Sequence, residues 1–257
     1  MSPEIDLSVT NFGTVRPLDY HMAILPWGAT EPHNLHLPYL TDAILAHCIA
    51  VDAASLALQE HDVRAMVLPP VAMGSQNPGQ RDLKFCIHYH YDTQRAILAD
   101  TVAALHHQGI RKLLIINGHG GNSFKSMIRD LSVDYPDFII LSSEWFAVLP
   151  AKDWFENPGD HADELETSVM MHYHPELVRL SQAGPGQAHP FALQSLREKV
   201  AWLPRHWDKV TTDTGIGNPC KSTAEKGRRF AQAVARKYAC LLKELASTAS
   251  ISDLYEQ

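Results

Sequence analysis

The sequence predicts an α/β protein with a mostly parallel central sheet covered on both faces, and three observations carry that prediction. Short apolar runs alternate with longer Ala/Leu-rich stretches through the first half of the chain, which is the strand, helix, strand order of a parallel sheet covered on both faces. Glycine-flanked loops rich in His, Asp and Glu follow several of those runs. A length of 257 residues with 45% hydrophobic residues is enough to bury a sizeable core.

Taken in order, Met22 to Trp27 (Met-Ala-Ile-Leu-Pro-Trp) is an apolar run stopped by Gly28, and reads as a buried strand. Thr41 to about His61 lacks Gly and Pro, and Ile44, Cys48, Val51 and Leu58 fall on one stripe at 3.6-type spacing, so it reads as a helix packed on the sheet. The alternation repeats with a strand at Arg64–Leu68, a helix at Thr93–His107, a strand at Lys112–Ile116, a helix at Ser123–Val133 and a strand at Phe138–Ser142. A further helix is expected from near Ala162 to His172, ahead of Pro175. Gln182 to Pro219 is rich in Gly, Pro, Trp and polar residues and reads as loops or an excursion within the domain, so residues 1–257 are expected to form one domain. Ser222-x-x-Glu225 reads as a capping box for a last helix with Phe230, Val234, Tyr238, Leu241 and Leu245 on one face.

Composition removes several classes of function. Lys plus Arg number 22 against 29 Asp plus Glu, a formal charge of −7, which does not supply the basic field that a nucleic-acid partner needs. No stretch approaches the ~18 apolar residues of a membrane span, and the acidic start Met1-Ser2-Pro3-Glu4-Ile5-Asp6 is followed by no apolar signal region. A membrane partner is therefore not expected. Cys48, Cys86, Cys220 and Cys240 show no C-x-x-C spacing and read as reduced core thiols of a cytoplasmic protein.

The 15 histidines are the compositional oddity, and several of them fall into three clusters of metal-type ligands at or beside predicted strand ends. The first runs from Gly28 to Asp42 and holds Glu31, His33, His36 and Asp42; Glu31 and His33 are two apart, so in extended chain they point to one side. The second is Asn117-Gly-His119-Gly-Gly-Asn122, directly after a strand, where flanking glycines let the backbone turn while the imidazole projects. The third is Asp160-His161-Ala-Asp-Glu164-Leu-Glu166-Thr-Ser, at the start of a helix. Together they offer nitrogen and oxygen donors and no thiolate, a set suited to Zn²⁺ or Mn²⁺ in an open site.

Simpler explanations exist for each cluster. Gly118 to Ser123 could be a nucleotide-binding turn, but that motif needs glycine where Ser123 stands, and the His119 ring would crowd a pyrophosphate. Glu31 and Asp42 could be helix-entry residues near a positive dipole end. Glu164 and Glu166 cannot both aim at one point from a helix, so one is expected on a solvated face, and spacing alone does not choose between them. Three clusters at successive strand ends make coincidence a poorer account than any one of them does.

These motifs resemble the creatininase (creatinine amidohydrolase) family. Its members are similar in a Gly-x-x-Glu-x-His-x-x-His-Leu-Pro stretch ending in Asp, in Asn-Gly-His-Gly-Gly-Asn after a strand, and in a His-Ala-x-x-x-Glu-Thr-Ser helix start, matched here by Gly28 to Asp42, Asn117 to Asn122 and His161 to Ser168. The resemblance implies a three-layer α/β/α sandwich around a mostly parallel central sheet, with a binuclear metal centre of two divalent ions, Zn²⁺ and/or Mn²⁺. Glu31 and His119 would bind one ion, His33 and Glu166 the other, and Asp42 would bridge both. His161 would be the catalytic proton-transfer group, and the assembly a homo-oligomer, with a hexamer the form to test.

Three departures bear on substrate. Creatininase proper has a glutamate where Gly121 stands, and Glu31-Pro32-His33-Asn34 replaces the family's common Glu-Gln-His-Gly. The family's Phe-Pro-Gly-Thr segment is also absent, and Gly74 to Tyr91 stands in its place as the expected wall of the substrate pocket. His88 and His90 within that segment are expected at a pocket rim or subunit contact, and His36 in a supporting role behind the ligands.

The expected activity is that of a metal-dependent amidohydrolase acting on a small-molecule amide at a non-peptide C–N bond, cyclic amide or formamide, through a metal-activated hydroxide. The rivals are a peptide-trimming or modified-nucleotide deformylating relative, and a metal-binding homologue without chemistry.

Overall fold

The computed structural model describes residues 4–256. Four parallel strands, β1 (Met22–Trp27), β2 (Ala65–Val67), β3 (Lys112–Asn117) and β4 (Ile139–Glu144), lie in the spatial order β2-β1-β3-β4. Ala23 pairs with Leu113 across β1 and β3, Met22 with Ala65 across β1 and β2, and Lys112 with Ile139 across β3 and β4. Helix α1 (Thr41–His61) joins β1 to β2, α2 (Tyr91–His107) joins β2 to β3, and α3 (Lys125–Asp134) joins β3 to β4. Of the helices that follow, the two long ones are α4 (Glu164–Tyr173) and α5 (Ala224–Ser247).

The period-two alternation of strand side chains divides the core into two apolar layers. Ile24, Leu114 and Ile116 face α1, α4 and α5, where they meet Leu45, Ile49, Val169, Phe230 and Val234. Ala23, Leu25, Trp27, Leu113 and Ile115 face the other way, onto Leu98 and Val102 of α2 and Met127 and Leu131 of α3. The expected α/β/α sandwich is therefore present, and its described sheet is parallel throughout.

Because β1 connects outward to β2 and β3 connects outward to β4, the chain leaves in opposite directions from the two central strands. Such a switch point opens a crevice beyond the strands' carboxyl ends. The loop from Gly28 and the loop from Gly118 both start there. Both glycines are needed for close approach: a Cβ at Gly28 would run into the Ala43 backbone, and one at Gly118 into the Asp42 carbonyl. The first turn of α1 thus packs directly on the ends of β1 and β3.

Several local expectations change. The last helix is capped by Thr223, whose side chain accepts from the Lys226 N–H, and the Ser222/Glu225 box does not form. The hydroxyl of Ser222 instead turns inward to donate to the Glu164 carbonyl. In α1 the stripe Ile44, Cys48 and Leu58 is only half-buried, while Ala46, Ile49, Ala50, Ala53, Ala54 and Ala57 are fully buried. Small side chains let α1 sit close to the sheet and to α5 at once, so its buried surface is wider than one stripe. That helix is long and apolar enough to cross a membrane by length and composition, and burial in this core accounts for its apolarity. The cysteines are free, but Cys220 and Cys240 are exposed and are not core thiols. Burial pushes the Cys48 thiol up to about 12.

Candidate metal centre

The six residues singled out in the sequence meet at the switch point. Glu31 and His33 come from the loop after β1, Asp42 from the first turn of α1, His119 from the loop after β3, and His161 and Glu166 from the approach to α4 and its first turn. Donor atoms of Glu31, Asp42 and His119 lie within 4.8 Å of one another, and so do those of His33, Asp42 and Glu166. Asp42 belongs to both groups. A third group of the same span joins Glu31, His33 and His161. All six residues are buried.

Backbone carbonyls orient the three imidazoles. Nδ1 of His33 lies 3.1 Å from the Glu31 carbonyl, Nε2 of His119 2.6 Å from the Ser75 carbonyl, and Nε2 of His161 2.9 Å from the Pro32 carbonyl. A carbonyl only accepts, so each of those ring nitrogens donates and the opposite nitrogen presents to the cluster. His33 thereby aims Nε2 at Asp42 Oδ1, 2.9 Å away, and His119 aims Nδ1 at Glu31 Oε1, 2.9 Å, and Asp42 Oδ2, 3.3 Å. His161 brings Nδ1 to 3.7 Å from Glu31 Oε1, with its ring 4.2 Å from that of His33.

Glu31 Oε1 and Asp42 Oδ2 are buried without a well-directed hydrogen bond, although imidazole nitrogens stand near them. Oxygens left in that condition are costly unless a cation faces them. Burial would hold the Asp42 carboxyl protonated, but His33 and His119 prevail and keep it well below the usual carboxylate range. Burial likewise opposes charge on His33, yet Asp42 raises its pKa to about 10. Glu166 is pushed up to about 8 by burial, against the pull of His33. Burial and the neighbouring His33 lower His161. Carboxylates and imidazoles packed this closely offer a divalent cation a complete set of nitrogen and oxygen donors.

The two glutamates of α4 have separate partners. Glu166 accepts from the Ala162 N–H at 2.5 Å and faces the cluster, on a turn capped by Asp163. Glu164 is not on a solvated face as expected: it is fully buried and accepts from Lys226 Nζ at 2.5 Å and from the Asn157 N–H at 2.6 Å. Its contact with Asn157 ties down the turn that carries His161.

Segment 74–91 folds over the cluster. Ile87 bridges to Thr30, and Gly74 bridges to His88. Ser75, Gln76, Asn77, Gln80 and His88 line the cleft that opens onto Glu31, His119 and His161. His88 accepts from the Gln76 N–H at 2.9 Å and its ring meets that of His90, while His36 pairs with the Thr167 hydroxyl at 2.8 Å. None of these three histidines belongs to a donor group among the described residues. A Cβ on Gly121 would strike the Ser75 carbonyl and the His119 ring, so the carbonyl occupies the space where the glutamate expected of creatininase proper would start.

Sequence reasoning missed the far wall. Trp202, Arg205 and Trp207, from the excursion between Gln182 and Pro219, line the same cleft. Trp207 packs edge-on against His161 with ring centroids 5.2 Å apart, and Arg205 lies over Trp207 while pairing with Asp160. It also missed Gln80, buried against Glu31. A Pro-Gly pair at 78 and 79 marks a turn there, but nothing in the sequence says which group the turn faces.

The family model "Creatininase: Creatinine amidohydrolase" matches residues 7–242. A crystal structure from Bacteroides fragilis NCTC 9343, provisionally named a creatinine amidohydrolase, is 61% identical, covers 100% of both chains and superposes with a TM-score of 0.96. A mutant creatininase of Zn-Zn type shares the fold at a TM-score of 0.75 with 20% identity, over 96% of this chain and 100% of that one. Among curated relatives, a mycofactocin precursor peptide peptidase of Mycobacterium ulcerans (strain Agy99) is 29% identical over 88% of this chain and 86% of its own length.

Proposed function

The chain belongs to the creatininase family of metal-dependent hydrolases, and from that premise we propose that it hydrolyses an amide C–N bond with two divalent ions, Zn²⁺ or Mn²⁺. Glu31, Asp42 and His119 would hold one ion and His33, Asp42 and Glu166 the other. The observation that carries the reading is Asp42, which belongs to both triads, its Oδ1 facing His33 and its buried Oδ2 facing His119 without a well-directed hydrogen bond. Ions held there supply a Lewis acid for the carbonyl oxygen and a water acidified toward neutrality.

The protein's own residues do the rest. His161 has Nε2 committed to the Pro32 carbonyl, so Nδ1 is the nitrogen that carries a proton to the leaving nitrogen of the substrate. Burial and the neighbouring His33 lower its pKa, so the ring, once protonated, gives that proton up readily. Trp207, edge-on to His161, fixes the ring plane and screens it from water. Segment 74–91 and the Trp202–Trp207 wall set which amide reaches the centre.

The primary reading is a small non-peptide amide, cyclic or formamide. A second reading, hydrolysis of a peptide bond, is supported by the mycofactocin precursor peptide peptidase relatives. Both readings use the same centre and differ only in the cleft. Assay of the Zn²⁺- and Mn²⁺-reconstituted protein against lactams, formamides, other small amides and short peptides separates them. Metal-dependent hydrolysis of one class is expected, and inactivity of the loaded protein towards every class would overturn the proposal. Creatinine is expected to be a poor substrate, with kcat/KM below roughly 10⁴ M⁻¹s⁻¹, because segment 74–91 and Gly121 alter the pocket.

A further inference from the structure

We infer that Gln80 is a positioning residue for Glu31, so that segment 74–91 is part of the metal centre as well as a wall of the cleft. The inference rests on the two-ion reading above. Gln80 is 1% exposed, and its amide orientation is fixed by both ends. Oε1 accepts from the Asn77 N–H at 2.6 Å, which leaves Nε2 as the group that faces, and donates to, Glu31 Oε2. With one oxygen of Glu31 held by that amide, the other, Oε1, is directed to the space it shares with His119 and Asp42.

The turn that carries Gln80 is itself anchored. Gly79 takes a φ of 86°, a left-handed conformation in which a side chain would strike Asp208. The Pro78 carbonyl accepts from the Trp207 N–H at 2.7 Å. Gln80 therefore cannot follow Glu31 if the carboxylate rotates, and a fixed donor of this kind keeps one oxygen turned inward. The two triads differ in this respect. Glu166 is held by a backbone N–H, that of Ala162, whereas Glu31 is held by a side chain. Loss of the Gln80 amide should accordingly affect one ion and spare the other.

The test is metal titration of the full-length protein with Zn²⁺ and with Co²⁺, by chelator competition and by Co²⁺ absorption bands. The wild type should bind two ions. Gln80→Met, which keeps the length and removes the donor, should weaken one ion by about 10–100-fold and leave the other within about threefold, with loss of one set of Co²⁺ bands. Gln80→Asn keeps an amide of shorter reach and should show the same selective loss, which guards against Gln80→Met failing to fold. Exposed Arg81, on the same turn, is the control, and Arg81→Ala should change neither ion. Unchanged affinity for both ions, or equal weakening of both, in the folded Gln80 variants would overturn the inference. A wild type that binds fewer than two ions would overturn the two-ion reading, and the inference with it.

Discussion

Nε2 of His33 lies 2.9 Å from Oδ1 of Asp42, with both residues buried, while the second oxygen of the same carboxylate turns away toward His119 Nδ1 at 3.3 Å. One side chain thus serves two sets of donors. It can do so because Asp42 stands in the first turn of a helix whose end is pressed against two strand ends by Gly28 and Gly118, where the helix dipole also favours a negative charge.

That sharing makes the ligands unequal. Asp42→Ala is expected to remove both ions, because each triad loses a member, whereas His33→Ala is expected to remove one and leave the Glu31, Asp42 and His119 group intact. Elemental analysis of the purified variants checks this. Equal losses in the two variants would show that Asp42 is not shared.

His161 is expected to behave differently from either. His161→Ala should keep both ions and lower kcat by about 10²–10⁴-fold, the usual contribution of a positioned general acid. Because Nδ1 of His161 forms a donor group with Glu31 and His33, the metal content of the variant is the deciding measurement. An ion lost with His161 would make it a ligand.

Much of this centre was legible because strands and short motifs are local. The run Met22–Trp27 ending at glycine, and Leu113–Ile116 before Asn117-Gly-His119, gave both strand ends and the residues that leave them. Glu166 could not be told from Glu164 in that way, because what distinguishes them is Lys226, 62 residues beyond Glu164 and brought to it only by the packing of α5 on α4. Gln80 and Trp207 were illegible for a related reason. Each lies in a segment without periodicity, and the bond that joins the two segments, Trp207 N–H to the Pro78 carbonyl, involves main-chain atoms that no residue type announces.

Gly121 tests whether the creatininase glutamate could be restored. A Cβ at that position would meet the Ser75 carbonyl and the His119 ring, which are themselves bonded at 2.6 Å. Gly121→Ala should therefore cost roughly 1–3 kcal/mol of stability, as overpacking does, and should weaken the ion held by His119. Gly121→Glu should do the same without gaining creatinine turnover. Thermal unfolding, metal titration and creatinine assay of both variants supply the check, and a stable Gly121→Glu protein with improved creatinine turnover would show that the Ser75 loop yields.

The last prediction concerns the buried pair that supports α4. Glu164 is fully buried and its charge is met by Lys226, which is a quarter exposed, together with the Asn157 N–H. Removing the lysine leaves a carboxylate with one backbone donor inside the core, and breaking a buried pair from one side typically costs 3–5 kcal/mol. Partial exposure of Lys226 lets water reach the site, so Lys226→Met should cost less, about 2–3 kcal/mol. If the cost is the stranded charge and not the lost contact, adding Glu164→Gln should recover part of it, because a neutral amide can still accept from Asn157. Urea unfolding of the two single variants and the double variant measures this coupling. The double variant is expected to be more stable than Lys226→Met alone, and additive losses would mean that Lys226 acts through Glu156, its other carboxylate partner at 3.1 Å. Catalysis supplies an independent reading: Asn157 begins the turn that delivers His161, so Lys226→Met should lower kcat more than it changes metal content.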